Sequence, residues 1–495
     1  MKERGQRVLH VLVVAALLLV APAAVRGQVN GTLDIAPLLR ERDPDTLIGA
    51  LKDDMQEKVK DRWSQLVMED SQTAAKRNEV GLYPNPSLQA YVNRLGQTLI
   101  PKEASDNILV SFKIVEDPLP YADTLATGTV YLSSGMISLL DNESQLAFLL
   151  MHEAGHVMLS HHLNQIIEEE KAEKRANRMK LIGAAAGALA GGIIGGRGDA
   201  LIGAGVGVVG AGLTEAFRNH RFMKSIQLES DQFATQVLLQ HGFDVREAPT
   251  LMAKVGDIIR RSGAAVELAF GNASDLPQRA EKVKQFLDGP YQPVVARILQ
   301  GEGFRMSSPR YSQLMAELKR DNGLLAFERD LFAIARANLE EAAAVRTDDP
   351  LTMYGLGMLY RAVGRSAQDS AKAAGYLKSA MEFDEVRHRF PQVYLQYAVE
   401  LLSREDPKHY PEIQKALRTY VALYQRNTGG SLPREMRFVY DYLDLTGDRS
   451  WIAYQVSNVS SDAPYQLTGD ALIDENVRVK EKAVEKPEKA KKGPK

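Results

Sequence analysis

The chain has 495 residues, 45% of them hydrophobic and 25% charged, with a formal net charge of -2 and no cysteine. That balance suits a globular protein of several units, at roughly 150 residues per unit, and the near-neutral charge argues against nucleic-acid binding, which needs a positive surface facing phosphate. Without cysteine there are no disulfides, no thiolate metal ligands and no lipid attachment through an N-terminal cysteine.

The chain opens on Lys2, Arg4 and Arg7, followed by an apolar run over 8–20 and small residues before Gln28. The run is shorter than the ~20 residues of a membrane span, so the pattern predicts a secretory signal over 1–27 and export, with an uncleaved anchor as the alternative. Residues 46–99 repeat apolar positions three and four apart, a helical period. Ile108, Val110, Phe112 and Ile114 alternate with polar neighbours, which predicts a half-buried strand. A second strand is expected over 129–132, with 117–128 as the connection. Asp141-Asn142-Glu143-Ser144-Gln145 is a helix-start signal, and the helix is expected to run past His156 to about Leu163.

Residues 166–180 are laced with charge and read as a solvated helix face. In 181–213, Gly183, Gly187, Gly191 and Gly195 recur every four residues, a spacing that lets helices approach closely. Each apolar arm falls short of the ~30 Å hydrocarbon thickness, and Arg197 and Asp199 interrupt the middle. This stretch is expected to form a buried or membrane-surface hairpin rather than a spanning pair. Residues 217–240 return to helix and end at His241-Gly242. Further on, Met353, Leu356-Gly357 and Tyr360, then Ala373, Leu377 and Ala380, fit the two halves of a tetratricopeptide helix pair. Tyr394, Tyr397, Ala398 and Leu401 could open another; generic helical packing is the alternative. The tail beyond 471 is expected to be disordered, being Lys, Glu and Pro with few apolar residues from Glu475 on.

The chemistry centres on His152-Glu153-Ala154-Gly155-His156. Two histidines four apart project from one helix face and can share a metal ion. A glutamate beside the first can act as general base toward metal-activated water, since the ion lowers the water's pKa and polarises a carbonyl. Gly155 is expected to remove bulk beside the metal. The bland alternative is a histidine-bearing surface helix, to which His161 and His162 would also belong; Leu146, Phe148, Leu149, Leu150 and Met151 argue that the helix is buried.

These residues, with Asp141 to Ala147 ahead of them, resemble the minigluzincin metalloproteases related to CAAX-prenyl proteases, and among these the periplasmic BepA-like branch that joins a protease domain to tetratricopeptide repeats. Glu229-Ser230-Asp231, Gln236-Val237-Leu238, His241-Gly242-Phe243-Asp244 and Pro249 continue the likeness, which covers roughly residues 51–287. The resemblance implies an α+β fold: a mainly helical protease domain with a small β-sheet over 28–290, then an all-α tetratricopeptide-like region over 291–470 and a tail over 471–495. It implies His152 and His156 as ligands of one Zn2+ per chain, Glu153 as catalytic base, and Asp231 as the aspartate that orients the first histidine. The family's third ligand is a glutamate four residues before that aspartate, where this chain has Gln227. Either Gln227 ligates weakly, or local geometry lets Glu229 reach in despite its ~200° offset around the helix, or the site is impaired; Glu229 is the expected third ligand. Two further departures are Tyr121-Ala122-Asp123-Thr124, where the family has Asn-Ala-aromatic-Ala, and 272–277, which lacks the branch's His-Pro loop.

The expected function is a zinc endopeptidase of the periplasm, cleaving unfolded or misassembled envelope proteins, with an extended substrate adding to an edge strand near 128–132. Outer-membrane assembly machinery and a peripheral membrane contact are the expected partners, and no nucleic acid. The rivals are an impaired protease acting as a tetratricopeptide chaperone or scaffold, and a membrane-embedded protease.

Overall fold

The computed structural model describes residues 34–102, 109–187, 224–262, 274–301, 303–305, 307–429, 432–433 and 436–445. The expected signal, residues 188–213 of the glycine-rich stretch, and the 471–495 tail lie outside the described residues. The chain divides into two compact units at Met315/Ala316, beyond the boundary expected at 290.

The first unit begins with short helices α1 (Ala36–Glu41) and α2 (Pro44–Gly49), then α3 (Asp53–Val80) and α4 (Pro86–Leu99). The helical run expected over 46–99 is thus broken at Gly81, and Asn85 restarts it by capping Leu88 N, with Pro86 in the first turn. Strands β1 (Ser111–Val115), β2 (Ala122–Thr124) and β3 (Thr129–Ser133) form one sheet in the order β1-β3-β2. β3 pairs parallel with β1 and antiparallel with β2. The stretch expected as plain connection therefore contains β2, and β3 lies at the centre of the sheet, so it is not an edge open to substrate. Gly128 makes the turn into β3: its φ is +86°, and a Cβ there would sit 1.8 Å from Leu109 O.

The outer side of β1 is closed by side chains. Gln89, Asn93 and Gln97 recur every four residues on α4 and face the strand. Gln89 donates to Phe112 O (2.7 Å) and accepts from Ile114 N (2.9 Å), Asn93 accepts from Phe112 N (3.1 Å), and Gln97 donates to Val110 O. Tyr83 N donates to Ile114 O. The amides thus occupy the hydrogen-bonding groups of one edge, and β2, whose Ala122 and Thr124 are buried, forms the other.

After the short α5 (Ser134–Ser138), α6 (Glu143–Met158) starts where expected, with Asn142 accepting from Gln145 N. It stops sooner than expected, because Ser160 adopts φ 50° and α7 (His161–Gly187) sets off in a new direction. One face of α7 packs Leu163, Ile166 and Ile167 against Val59 and Leu66 of α3; Glu168, Glu173, Lys174 and Arg175 are exposed, whereas Glu170 is buried against Arg62. α8 (Lys224–Gln240), α9 (Glu247–Ser262), α10 (Leu276–Asp288) and α11 (Gln292–Gln300) complete the layer around α6. Gly155 serves packing rather than metal access: its Cα lies so close to α8 that a Cβ would meet Ser230 and Phe233 at 3.2 Å. Among the described residues no helix is long and apolar enough to cross a membrane.

The helix α12 (Pro309–Glu328) leads into the second unit, which contains α13 (Phe332–Val345), α14 (Pro350–Val363), α15 (Ala367–Ala380), α16 (Asp384–Arg389), α17 (Gln392–Leu402), α18 (Tyr410–Thr428) and α19 (Arg437–Leu445). α14 and α15 form a tight pair, with Gly357 so close to Leu377 that a Cβ would lie 2.6 Å from it. Leu356, Tyr360, Ala373, Leu377 and Ala380 are buried, as their spacing predicts, and Tyr394, Tyr397, Ala398 and Leu401 bury the next pair. We expect Gln89→Leu, which orphans a carbonyl and an amide of β1, to cost about 1–3 kcal/mol, read as a lower denaturant midpoint with unchanged m-value.

Candidate metal centre

α6 is apolar all round and buried along almost its whole length, so its polar side chains are held where the surrounding elements allow. His152 is fully buried, and Glu153 and His156 are about 5% exposed. One turn apart, the two imidazoles lie with ring centroids 5.2 Å apart and nearly perpendicular.

His152 is held from behind. Its Nδ1 lies 2.9 Å from Asp231 Oδ1 on α8. Asp231 is gripped in turn by Arg279 of α10, with Nε–Oδ2 at 2.7 Å and the second guanidinium nitrogen–Oδ1 at 2.8 Å, all fully buried. Burial raises the Asp231 carboxyl's pKa, but the Arg279 charge and the hydrogen bonds from Arg279 and His152 outweigh it and bring it down to about 2. The ionised carboxylate is the acceptor for a hydrogen on His152 Nδ1, the tautomer that keeps a lone pair on Nε2.

That lone pair faces α8. Gln227, four residues before Asp231 and therefore on the same face, places Oε1 3.0 Å from His152 Nε2. Glu229 points elsewhere. One carboxylate oxygen pairs with Arg42 and the other lies 3.3 Å from His161 Nε2. α8 is a regular helix here, so the bulge that would have brought Glu229 to His152 is not formed. Burial raises the pKa of Glu229, but His161 and Arg42 together lower it below the ordinary carboxylate value. Among the described residues no three His, Asp or Glu side chains are grouped to hold an ion, since an amide stands in the carboxylate's place. The donor chemistry nevertheless fits zinc. Imidazole nitrogen and carbonyl oxygen are both donor types that zinc accepts, and His152 Nε2 and Gln227 Oε1 lie 3.0 Å apart with the Glu153 carboxylate on the same helix as His152 and His156.

Thr124 of β2 donates its hydroxyl to Glu153 Oε2, which joins the outer strand of the sheet to the carboxylate. His161, read as possible surface, is 5% exposed, and its Nδ1 lies 3.0 Å from His156 Nδ1. Burial lowers the pKa of His161 against the opposing pull of Glu229. Sequence reasoning missed Arg279, Arg42, Thr124 and His161. His161 carried a signal in its proximity to the motif and Thr124 in the departure from the family pattern at 121–124; a buried arginine and a surface arginine look alike in a sequence.

Residues 86–320, the stretch that includes the sheet, α6 and α8, match Peptidase family M48. The chain is 27% identical over 278 residues to the beta-barrel assembly-enhancing protease of Yersinia pestis, covering 54% of this chain and 53% of that one. It is 28% identical over 209 residues to the protein of that name from Escherichia coli (strain K12), covering 41% and 40%. A putative beta-barrel assembly-enhancing protease of Vibrio cholerae is 26% identical over 197 residues, covering 40% and 38%. The matched part spans about half the length of these relatives or less.

Arg279→Met should leave the Asp231 carboxylate buried without its counter-charge and cost about 3–5 kcal/mol in chemical denaturation. The native contribution of Asp231 should be complete above about pH 4, its unfolded value, and be lost as pH falls through the folded value of about 2.

Proposed function

We propose that the first unit is a zinc-dependent endopeptidase, held by His152, His156 and Gln227 and acting through Glu153. The observation that carries this reading is the chain Arg279–Asp231–His152, which fixes one imidazole's tautomer and turns Nε2 toward a second donor. A buried carboxylate stands on the same helix beside it. Zinc, when bound there, supplies a Lewis acid and makes water a nucleophile at neutral pH. Glu153 accepts the proton of the attacking water and delivers it to the departing amine, while the Thr124 hydroxyl keeps the carboxylate oriented.

Substrate adds to β2 rather than to the 128–132 segment, because β3 is paired on both sides. The bonds Ser133 N to Tyr121 O and Leu125 N to Thr129 O set the phase of the pairing, so the backbone groups of Ala122 and Thr124 face away from β3. An extended peptide bound there passes Thr124, and hence Glu153. The names of the relatives and the N-terminal pattern of 1–27 support a periplasmic enzyme acting on unfolded or misassembled envelope proteins, β-barrels among them, in company with outer-membrane assembly machinery. The pairs α14/α15 and α17/α18, read as tetratricopeptide repeats, provide the surface for such chains.

Gln227 favours a second reading, a catalytically impaired protease that works as a chaperone or scaffold, because a neutral amide binds zinc more weakly than a carboxylate. Metal analysis separates the two. The endopeptidase reading expects about one zinc per wild-type chain, loss in Gln227→Ala and tighter retention in Gln227→Glu. Glu153→Gln should retain zinc yet lower casein cleavage by about 10²- to 10⁴-fold; undiminished cleavage by a folded Glu153→Gln chain rules out Glu153 as the base.

A further inference from the structure

His152 is steadied by Asp231 and Arg279, and a second chain of side chains stands in the matching place behind His156. We propose that Arg42, Glu229 and His161 form a positioning relay that decides which ring nitrogen His156 presents to the metal; this rests on the zinc-site reading above. The turn at Ser160, with φ 50°, brings His161 back over the helix end it follows. The two rings lie 5.0 Å apart at 70°, with Nδ1 facing Nδ1 at 3.0 Å. Two imidazole nitrogens at that distance share one proton.

The far end of the chain determines who carries it. Glu229 Oε2 is 3.3 Å from His161 Nε2, and an ionised carboxylate only accepts. His161 therefore bears its hydrogen on Nε2, and its Nδ1 is the acceptor. His156 Nδ1 is then the donor, and the lone pair of His156 resides on Nε2. Arg42, paired with the other carboxylate oxygen, keeps Glu229 charged and oriented from the C-terminal end of α1. Both histidines of α6 are thereby set as Nε2 donors by carboxylate–arginine pairs approaching from different elements. In this chain Glu229 serves the metal at one remove, through two imidazoles.

The test uses the purified full chain and reads zinc affinity by competition with a chromophoric chelator, beside thermal melts with and without zinc. His161→Leu and Glu229→Gln should weaken zinc by about 10–100-fold while the metal-free melting point stays near the wild type. His161→Gln, whose amide oxygen can accept from His156, should stay within about threefold of the wild type. If His161→Leu does not fold, Arg42→Met is read in its place, with a smaller loss of affinity expected. Unchanged affinity in His161→Leu, or in Arg42→Met where that stands in, overturns the relay and leaves the zinc-site reading intact. So does a Glu229→Gln chain that loses zinc while His161→Leu keeps it, because Glu229 would then touch the metal itself. A wild type that takes up no zinc overturns both.

Discussion

The arrangement depends on one buried ionic contact, that of Arg279 with Asp231. Neither residue has access to water, so each is tolerable only because the other is present. The pair contributes direction rather than net stability: it holds a carboxylate ionised at zero exposure and aims it at a single imidazole nitrogen. The tautomer of His152, and with it the donor presented to Gln227, follows from that contact.

The sheet constrains the other side of the site. A three-stranded sheet has two edges, and here one is saturated by carboxamides spaced every four residues along α4. The remaining edge, β2, carries the threonine that touches Glu153. Closing one edge therefore does more than prevent unwanted pairing: it leaves β2, beside Glu153, as the other edge of the sheet.

Substituting an amide for a carboxylate at position 227 removes a negative charge from the donor set while leaving an oxygen in place. Two carboxylates lie just behind the donors, Asp231 beside His152 and Glu229 beyond His161. These two negative charges thus sit behind the histidines, each balanced by an arginine, while Glu153 is the carboxylate beside the imidazoles.

Local features were legible in the sequence because they depend only on near neighbours along the chain. The four-residue spacing put His152 and His156 on one face, Asn142 capped the helix, and the alternation over 110–114 made a strand. The same periodicity warned that Gln227, rather than Glu229, shares a face with Asp231, and the helix is regular enough to obey it. Features set by long-range contacts were not legible. β2 is three residues long, too short for a pattern, and it exists because β3 offers it an edge. Met158 ends the helix because of a left-handed turn at a serine that nothing in the sequence marks. Arg279 and Arg42 reach the site from 48 and 187 residues away from their carboxylates, and only tertiary packing turns them into its counter-charges. Spacing along a helix is local geometry; the partner that removes a buried charge's cost is chosen by the fold as a whole.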